Sequence, residues 1–178
     1  MNLPNSLTVL RILLIPFFVG FLIYGYYGRA LTTLIVAGIT DILDGVIARM
    51  ANQRTKLGAY LDPLADKLLL TSAFVTLSYL HVVPVWTAIV VVSRDLIIVA
   101  GTLLLYMTAT PIEVMPTVLG KGSTLTQLVY VVLALVFIYL QKDVRPLAPL
   151  LVVMLALTVV SGLQYVYRGI RAYHPELV

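Results

Sequence analysis

Asp41-Ile42-Leu43-Asp44-Gly45-Val46-Ile47-Ala48-Arg49, followed after eight residues by Gly58-Ala59-Tyr60-Leu61-Asp62-Pro63-Leu64-Ala65-Asp66, sets four carboxylates inside two otherwise apolar stretches. The whole chain holds only eight acidic residues, so half of them fall here. An ionisable group inside a membrane costs a few kcal/mol even on the mildest scale, and nothing structural obliges a small helical bundle to accept four. Asp41 and Asp44 are three residues apart, which puts both on one face of a helix. Asp62 and Asp66 are four apart and share a face in the same way. The short connection makes the two helices antiparallel neighbours, so the two pairs can converge. At a rise of 1.5 Å per residue, Asp41 lies roughly 12 Å before Arg49 along the axis, within the membrane rather than at its surface.

The rest of the chain fits a membrane setting. It is 61% hydrophobic and 11% charged, against roughly 25% charged in soluble domains. Six apolar segments approach the ~20 residues a spanning helix needs: Leu7–Tyr27, Ala30–Met50, Leu57–Leu80, Val83–Met107, Thr124–Leu140 and Pro146–Tyr167. The expected fold is therefore all-α, a six-helix polytopic membrane protein with a short interfacial N-terminal segment, and residues 1–178 form one domain. Connections are short except Thr108–Ser123, which contains Pro111, Pro116, Gly120 and Gly122. The N-terminus lacks the basic region and cleavage site of a removable signal peptide, so the first segment is expected to persist.

Charge orients the bundle. The twelve Lys and Arg residues are scattered rather than blocked, which argues against nucleic acid as a partner despite a net charge of +4. With both termini cytoplasmic, the inner side collects Arg11, Arg49, Arg54, Lys56, Lys121, Arg168 and Arg171, and the outer side Arg29, Lys142 and Arg145. That imbalance is the positive-inside pattern. With no cysteine, disulfides and thiolate metal sites are excluded.

Four clustered carboxylates repel one another, and burial raises the cost of their charge. Divalent cations relieve both, and an all-oxygen site suits Mg²⁺, Mn²⁺ or Ca²⁺ rather than a soft metal. The structural alternative is separate pairing of the acids with Arg49, Arg54 and Lys67. Gly45, Ala48 and Gly58 interleave with the acids, where small residues would admit a ligand or a neighbouring helix equally well. Arg49, one turn past Gly45, either pairs with a phosphate or anchors the inner interface.

Read together, residues 41–66 spell D-x-x-D-G-x-x-A-R, eight residues, then G-x-x-x-D-x-x-x-D. The pattern resembles the signature of the CDP-alcohol phosphatidyltransferases at every fixed position. The resemblance implies that Asp41, Asp44, Asp62 and Asp66 hold two divalent ions, Mg²⁺ or Mn²⁺, for the pyrophosphate of CDP-diacylglycerol. It implies Asp66 as general base on the acceptor hydroxyl, and Gly45, Ala48, Arg49 and Gly58 as contacts of the CDP-lipid. Pro4-Asn5-Ser6-Leu7-Thr8 before Arg11 is similar to the family's opening, which places Asn5 and Thr8 beside the nucleotide. A homodimer in a bacterial inner membrane is expected on the same ground. Neither His81 nor His174 lies near the cluster, so direct in-line displacement is expected, with an aspartyl intermediate as the alternative.

The acceptor is read from elsewhere. Arg94 and Asp95 sit mid-span, and adjacent helical residues point about 100° apart, so mutual neutralisation is not expected. Arg94 is assigned to an acceptor phosphate with Lys121 and Arg54; structural pairing with other helices is the alternative. Ala51-Asn52-Gln53-Arg54, Leu61-Asp62-Pro63-Leu64-Ala65-Asp66-Lys67 and Ser93-Arg94-Asp95 are most similar to the cardiolipin synthase branch. Thr102 stands where phosphatidylglycerophosphate synthases have a further arginine. Phosphatidylglycerol is accordingly the expected acceptor and glycerol 3-phosphate the alternative. From other classes, a membrane cation transporter would also place acids on membrane helices, but the two-sided access and repeat symmetry it predicts are not visible.

Overall fold

A computed structural model describes the backbone of residues 3–50, 56–107 and 118–173, and the side-chain surroundings of residues 8–41, 65–101 and 118–169. Among the described residues there are six α-helices and no strand: α1 (Leu3–Ile23), α2 (Tyr27–Met50), α3 (Lys56–Tyr79), α4 (Val85–Met107), α5 (Val118–Tyr139) and α6 (Ala148–Tyr173). A 3₁₀ turn, Arg145–Leu147, leads into α6. Each helix coincides with one expected apolar segment.

Helix ends follow local chemistry. At the end of α1 the Tyr26 N–H reaches back to the Phe21 carbonyl at 2.8 Å, and Gly25 takes φ +75°, where a Cβ would be penalised. α3 and α5 end in the same way, with Val82 bonding Leu77 and Lys142 bonding Phe137. There His81 (φ 57°) and Gln141 (φ 54°) occupy the left-handed position without being glycine. The five-residue bonds that close these turns offset that strain.

The start of α5 departs from expectation. The helix begins at Val118 rather than Thr124, so Gly120, Lys121 and Gly122 are helical rather than part of a loop. Glycine is a poor helix former, but here the following hydroxyls fold back onto the helix. Thr124 Oγ1 donates to the Gly120 carbonyl at 3.1 Å, and Thr126 Oγ1 to that of Gly122 at 3.0 Å. Polar side chains that satisfy themselves can enter an apolar element at little cost.

The core runs along the helix axes. Ala30, Ala37, Ala73 and Ala134 are fully buried, and such small residues let helices approach closely. Phe18, Leu22, Phe74, Leu77, Leu135 and Met154 fill the spaces between them. The rings of Phe74 and Tyr130 stack at 6.2 Å between centroids, joining α3 to α5. α1 packs on α2 and α3, α5 on α6 and α2, and α4 on α6 and α3. Large apolar side chains also face outward from every helix whose surroundings are described: Phe17, Ile39, Val75, Leu96, Leu125 and Leu163 are all exposed. Within the described residues, Val118–Tyr139 and Arg145–Gly169 are long and apolar enough to cross a membrane, and Thr8–Ile23 is a shorter apolar stretch.

Candidate active site

Packing of α1 against α2 and α3 sets the first part of the site. Arg11, on α1, is fully buried, and its Nη1 lies 3.0 Å from Asp41 Oδ1 and 2.9 Å from Asp66 Oδ1. One guanidinium nitrogen thus spans acids on two helices. The acids are not buried with it: the side chains of Asp41 and Asp66 keep 40% and 41% of their surface exposed. That surface faces a cavity of about 550 Å³ between α2, α3, α4, α5 and α6. Ala37 and Gly38 line it beside Asp41, and a Cβ at Gly38 would meet nothing within 4 Å.

Cations line other parts of the same cavity: Lys67, Arg94 and Lys121. Lys67 follows Asp66 directly on α3, and its Nζ lies 3.3 Å from Asp95 Oδ1. Arg94 Nη1 lies 2.7 Å from that same oxygen. The expectation that Arg94 and Asp95 would not neutralise each other is therefore corrected. Their Cβ vectors diverge, but arginine is long enough for its guanidinium to curl back onto its neighbour. Lys67 likewise pairs with Asp95, and Asp41 and Asp66 pair with Arg11; the side chains of Arg49 and Arg54, also considered from sequence, lie outside the described residues.

A buried polar layer backs Arg94. Its Nε donates to Ser161 Oγ at 3.3 Å, and Ser161 Oγ donates to the Thr158 carbonyl at 3.1 Å. Thr158 Oγ1 accepts from Gln127 Nε2 at 3.0 Å and lies 3.1 Å from Ser123 Oγ. α6 runs beside Arg94 at Gly162, where a Cβ would stand 3.4 Å from Arg94 Cγ, an ordinary packing distance. Two contacts leave most of the guanidinium's five donors for a ligand in the cavity.

The sequence-predicted residues divide into three groups. Asp41, Asp66, Arg94 and Lys121 are brought to one cavity. Thr8 is fully buried one turn before Arg11 on α1. Asp44, Gly45, Ala48 and Arg49 lie on α2, Gly58 and Asp62 on α3, and Asn5 on α1, with side-chain surroundings outside the described residues; Arg54 lies outside them altogether. Sequence reasoning missed the site roles of Arg11, Lys67, Asp95, Ser161 and Tyr165. In the sequence Arg11 reads as an inner-side cation, and its full burial in the packed helices is what sets it apart from an anchor. Ser161 and Tyr165, which line the α6 side of the cavity, gave no sequence signal.

The donor chemistry suits a hard divalent ion. Asp41 and Asp66 offer only carboxylate oxygens, half-exposed to a cavity, and those oxygens already share a cation in Arg11. Among the described residues no group of three or more such ligands occurs, Asp44 and Asp62 being outside them.

Comparison with known proteins gives the family of the chain. The family model described as CDP-alcohol phosphatidyltransferase matches residues 1–164. The chain is 36% identical over 151 residues to a probable cardiolipin synthase (CMP-forming) of Drosophila melanogaster, covering 76% of this chain and 47% of that protein. It is 35% identical over 150 residues to the cardiolipin synthase (CMP-forming) of Homo sapiens, covering 75% and 50%. The chain thus spans about half the length of these animal relatives. To a CDP-diacylglycerol–glycerol-3-phosphate 3-phosphatidyltransferase of Bacillus subtilis (strain 168) it is 35% identical over 181 residues, covering 92% of this chain and 93% of that one.

Proposed function

The chain belongs to the CDP-alcohol phosphatidyltransferase family, and from that membership we propose that it transfers the phosphatidyl group of CDP-diacylglycerol to a hydroxyl of phosphatidylglycerol, giving cardiolipin and CMP. The observation that carries this reading is the shared cavity, in which Asp41 and Asp66 stand with Lys67, Arg94 and Lys121. Asp66 takes the proton of the acceptor hydroxyl as its oxygen bonds to the phosphatidyl phosphorus. The bond from that phosphorus to the CMP oxygen breaks, and CMP leaves. Arg94, with Lys121 and Arg54, holds the acceptor's phosphate and sets its hydroxyl toward Asp66. Gly45, Ala48, Arg49 and Gly58, with Asn5 and Thr8, receive the CDP-lipid. Asp41, Asp44, Asp62 and Asp66 are the residues that would hold Mg²⁺ or Mn²⁺, which neutralises pyrophosphate charge and improves CMP as a leaving group.

All six helices are proposed to cross the membrane with both termini cytoplasmic, supported by the outward apolar faces and the cation asymmetry. A homodimer is proposed on family resemblance alone. A phosphatidylglycerol acceptor brings one phosphodiester charge and two acyl chains, which apolar lining such as Leu34, Leu70, Ile98 and Leu128 can accompany. Glycerol 3-phosphate is the second reading. It is favoured by the three cations around the cavity and by near full-length similarity to the Bacillus subtilis enzyme. Purified protein given CDP-diacylglycerol and each acceptor in turn, with lipid products read by mass spectrometry, separates the two. Cardiolipin with CMP supports the first; phosphatidylglycerophosphate without cardiolipin supports the second.

A further inference from the structure

Arg11 presents a problem that the transfer reaction leaves open. Its Nη1 contacts one oxygen each of Asp41 and Asp66, at 3.0 Å and 2.9 Å, the acids assigned above to divalent binding. The acids meet the cavity on their exposed side, whereas Arg11 does not line it and has no exposed surface. A carboxylate oxygen has two lone-pair directions, so it can accept an arginine N–H and still face a cation. That cation would then be held beside a fixed positive charge.

Two effects of Arg11 oppose each other. A group that orients a metal's ligands typically improves affinity about 10–100-fold. A like charge works the other way: between unit charges about 4 Å apart in a protein-like medium, the interaction corresponds to roughly a thousandfold factor, and a dication doubles its exponent. Repulsion wins. Nor does the structure offer Arg11 an easy exit, since it is enclosed between α1, α2 and α3. Negative charge added on the cavity side offsets this repulsion.

We propose that Arg11 is a positioning counter-cation that couples divalent binding at Asp41 and Asp66 to the arrival of an anionic nucleotide. Without nucleotide, Arg11 offsets one of the two carboxylate charges and holds divalent affinity low. A pyrophosphate in the cavity offsets Arg11 and raises that affinity. By thermodynamic reciprocity the divalent ion tightens nucleotide binding by the same factor. The inference rests on the metal-site assignment made under the proposed function.

The test is Mn²⁺ binding to purified protein in detergent, with and without CDP, followed by the electron paramagnetic resonance signal of free Mn²⁺ and corrected for the Mn²⁺ that CDP binds without protein. For the unsubstituted protein, CDP should tighten Mn²⁺ about tenfold or more, within the usual range of coupling between sites. Arg11→Gln should bind Mn²⁺ about tenfold or more tighter than the unsubstituted protein when CDP is absent, and CDP should tighten it by a smaller factor than it does in the unsubstituted protein. Arg11→Lys keeps the charge and should stay within about threefold of the original affinity. Thermal unfolding of each variant reports whether it is folded. Unchanged or weaker Mn²⁺ binding by folded Arg11→Gln would overturn the proposal and leave the metal site standing. An unsubstituted protein whose Mn²⁺ affinity ignores CDP would overturn it too, whether or not Arg11→Gln folds. Absence of Mn²⁺ binding at any CDP concentration would remove the metal-site assignment and the proposal together.

Discussion

Asp66 stands half-exposed at the cavity wall while its other side is held by Arg11, a geometry that fixes the carboxylate yet leaves it open to a substrate hydroxyl. Asp66→Asn keeps the shape but accepts no proton at neutral pH. Transfer should fall by about 10²–10⁴-fold, the usual worth of a positioned acid–base group, with most CDP-lipid binding retained. Near-normal turnover would remove Asp66 from that role. Arg94 is tested by its acceptor dependence. A hydrogen bond to a charged group contributes about 1.5–3 kcal/mol, so Arg94→Gln should raise the acceptor KM about tenfold or more. The KM for CDP-diacylglycerol should change little; equal effects on both substrates would argue against an acceptor role. The four aspartates were legible in the sequence because carboxylates stand out in apolar runs. Arg11 was not, because it lies only four residues into the expected Leu7–Tyr27 segment and reads there as an interfacial anchor until α1 is seen to start at Leu3 and pack on α2 and α3. The Arg94–Asp95 pair was hidden for a different reason: backbone periodicity gives the direction of Cβ, not the reach of a long side chain.

Helices α5 and α6 are joined by Ser123, Gln127, Thr158 and Ser161, and this layer separates support of the fold from support of the site. Between membrane helices such hydrogen bonds average about 0.6 kcal/mol and reach at most about 1.7, because partners are also available before the helices associate. Thr158→Val should therefore cost about 1 kcal/mol or less, seen as a small drop in unfolding temperature in detergent. A loss several times larger would make the layer a principal lock of the bundle. Ser161→Ala, which removes the acceptor of Arg94 Nε, should instead raise the acceptor KM with little change in stability. A stability loss with unchanged KM would detach Ser161 from the site. Helix existence was readable from apolar runs of spanning length, and all six segments are helical. The start of α5 was not, since Gly120-Lys121-Gly122 has the composition of a loop yet lies within the helix, where Thr124 and Thr126 bond back to the Gly120 and Gly122 carbonyls.

At the scale of the whole molecule, the described helices turn large apolar side chains outward around an apolar core that also holds buried polar groups. The cysteine-free sequence allows the proposed orientation to be mapped with single introduced cysteines. Lys142→Cys, in the α5–α6 connection, should react with an impermeant maleimide added outside intact cells or right-side-out vesicles. Arg168→Cys, toward the end of α6, should react only after permeabilisation; the reverse pattern would contradict cytoplasmic termini. The central claim is that this chain moves a phosphatidyl group from CDP-diacylglycerol to an alcohol, and its most direct test is CMP release by purified protein in liposomes. With Mg²⁺ or Mn²⁺, CDP-diacylglycerol and phosphatidylglycerol, CMP and cardiolipin should appear in equal amounts, and a chelator should stop both. If CMP is released with neither phosphatidylglycerol nor glycerol 3-phosphate, while the protein remains folded and metal and CDP-lipid are in excess, the account is contradicted.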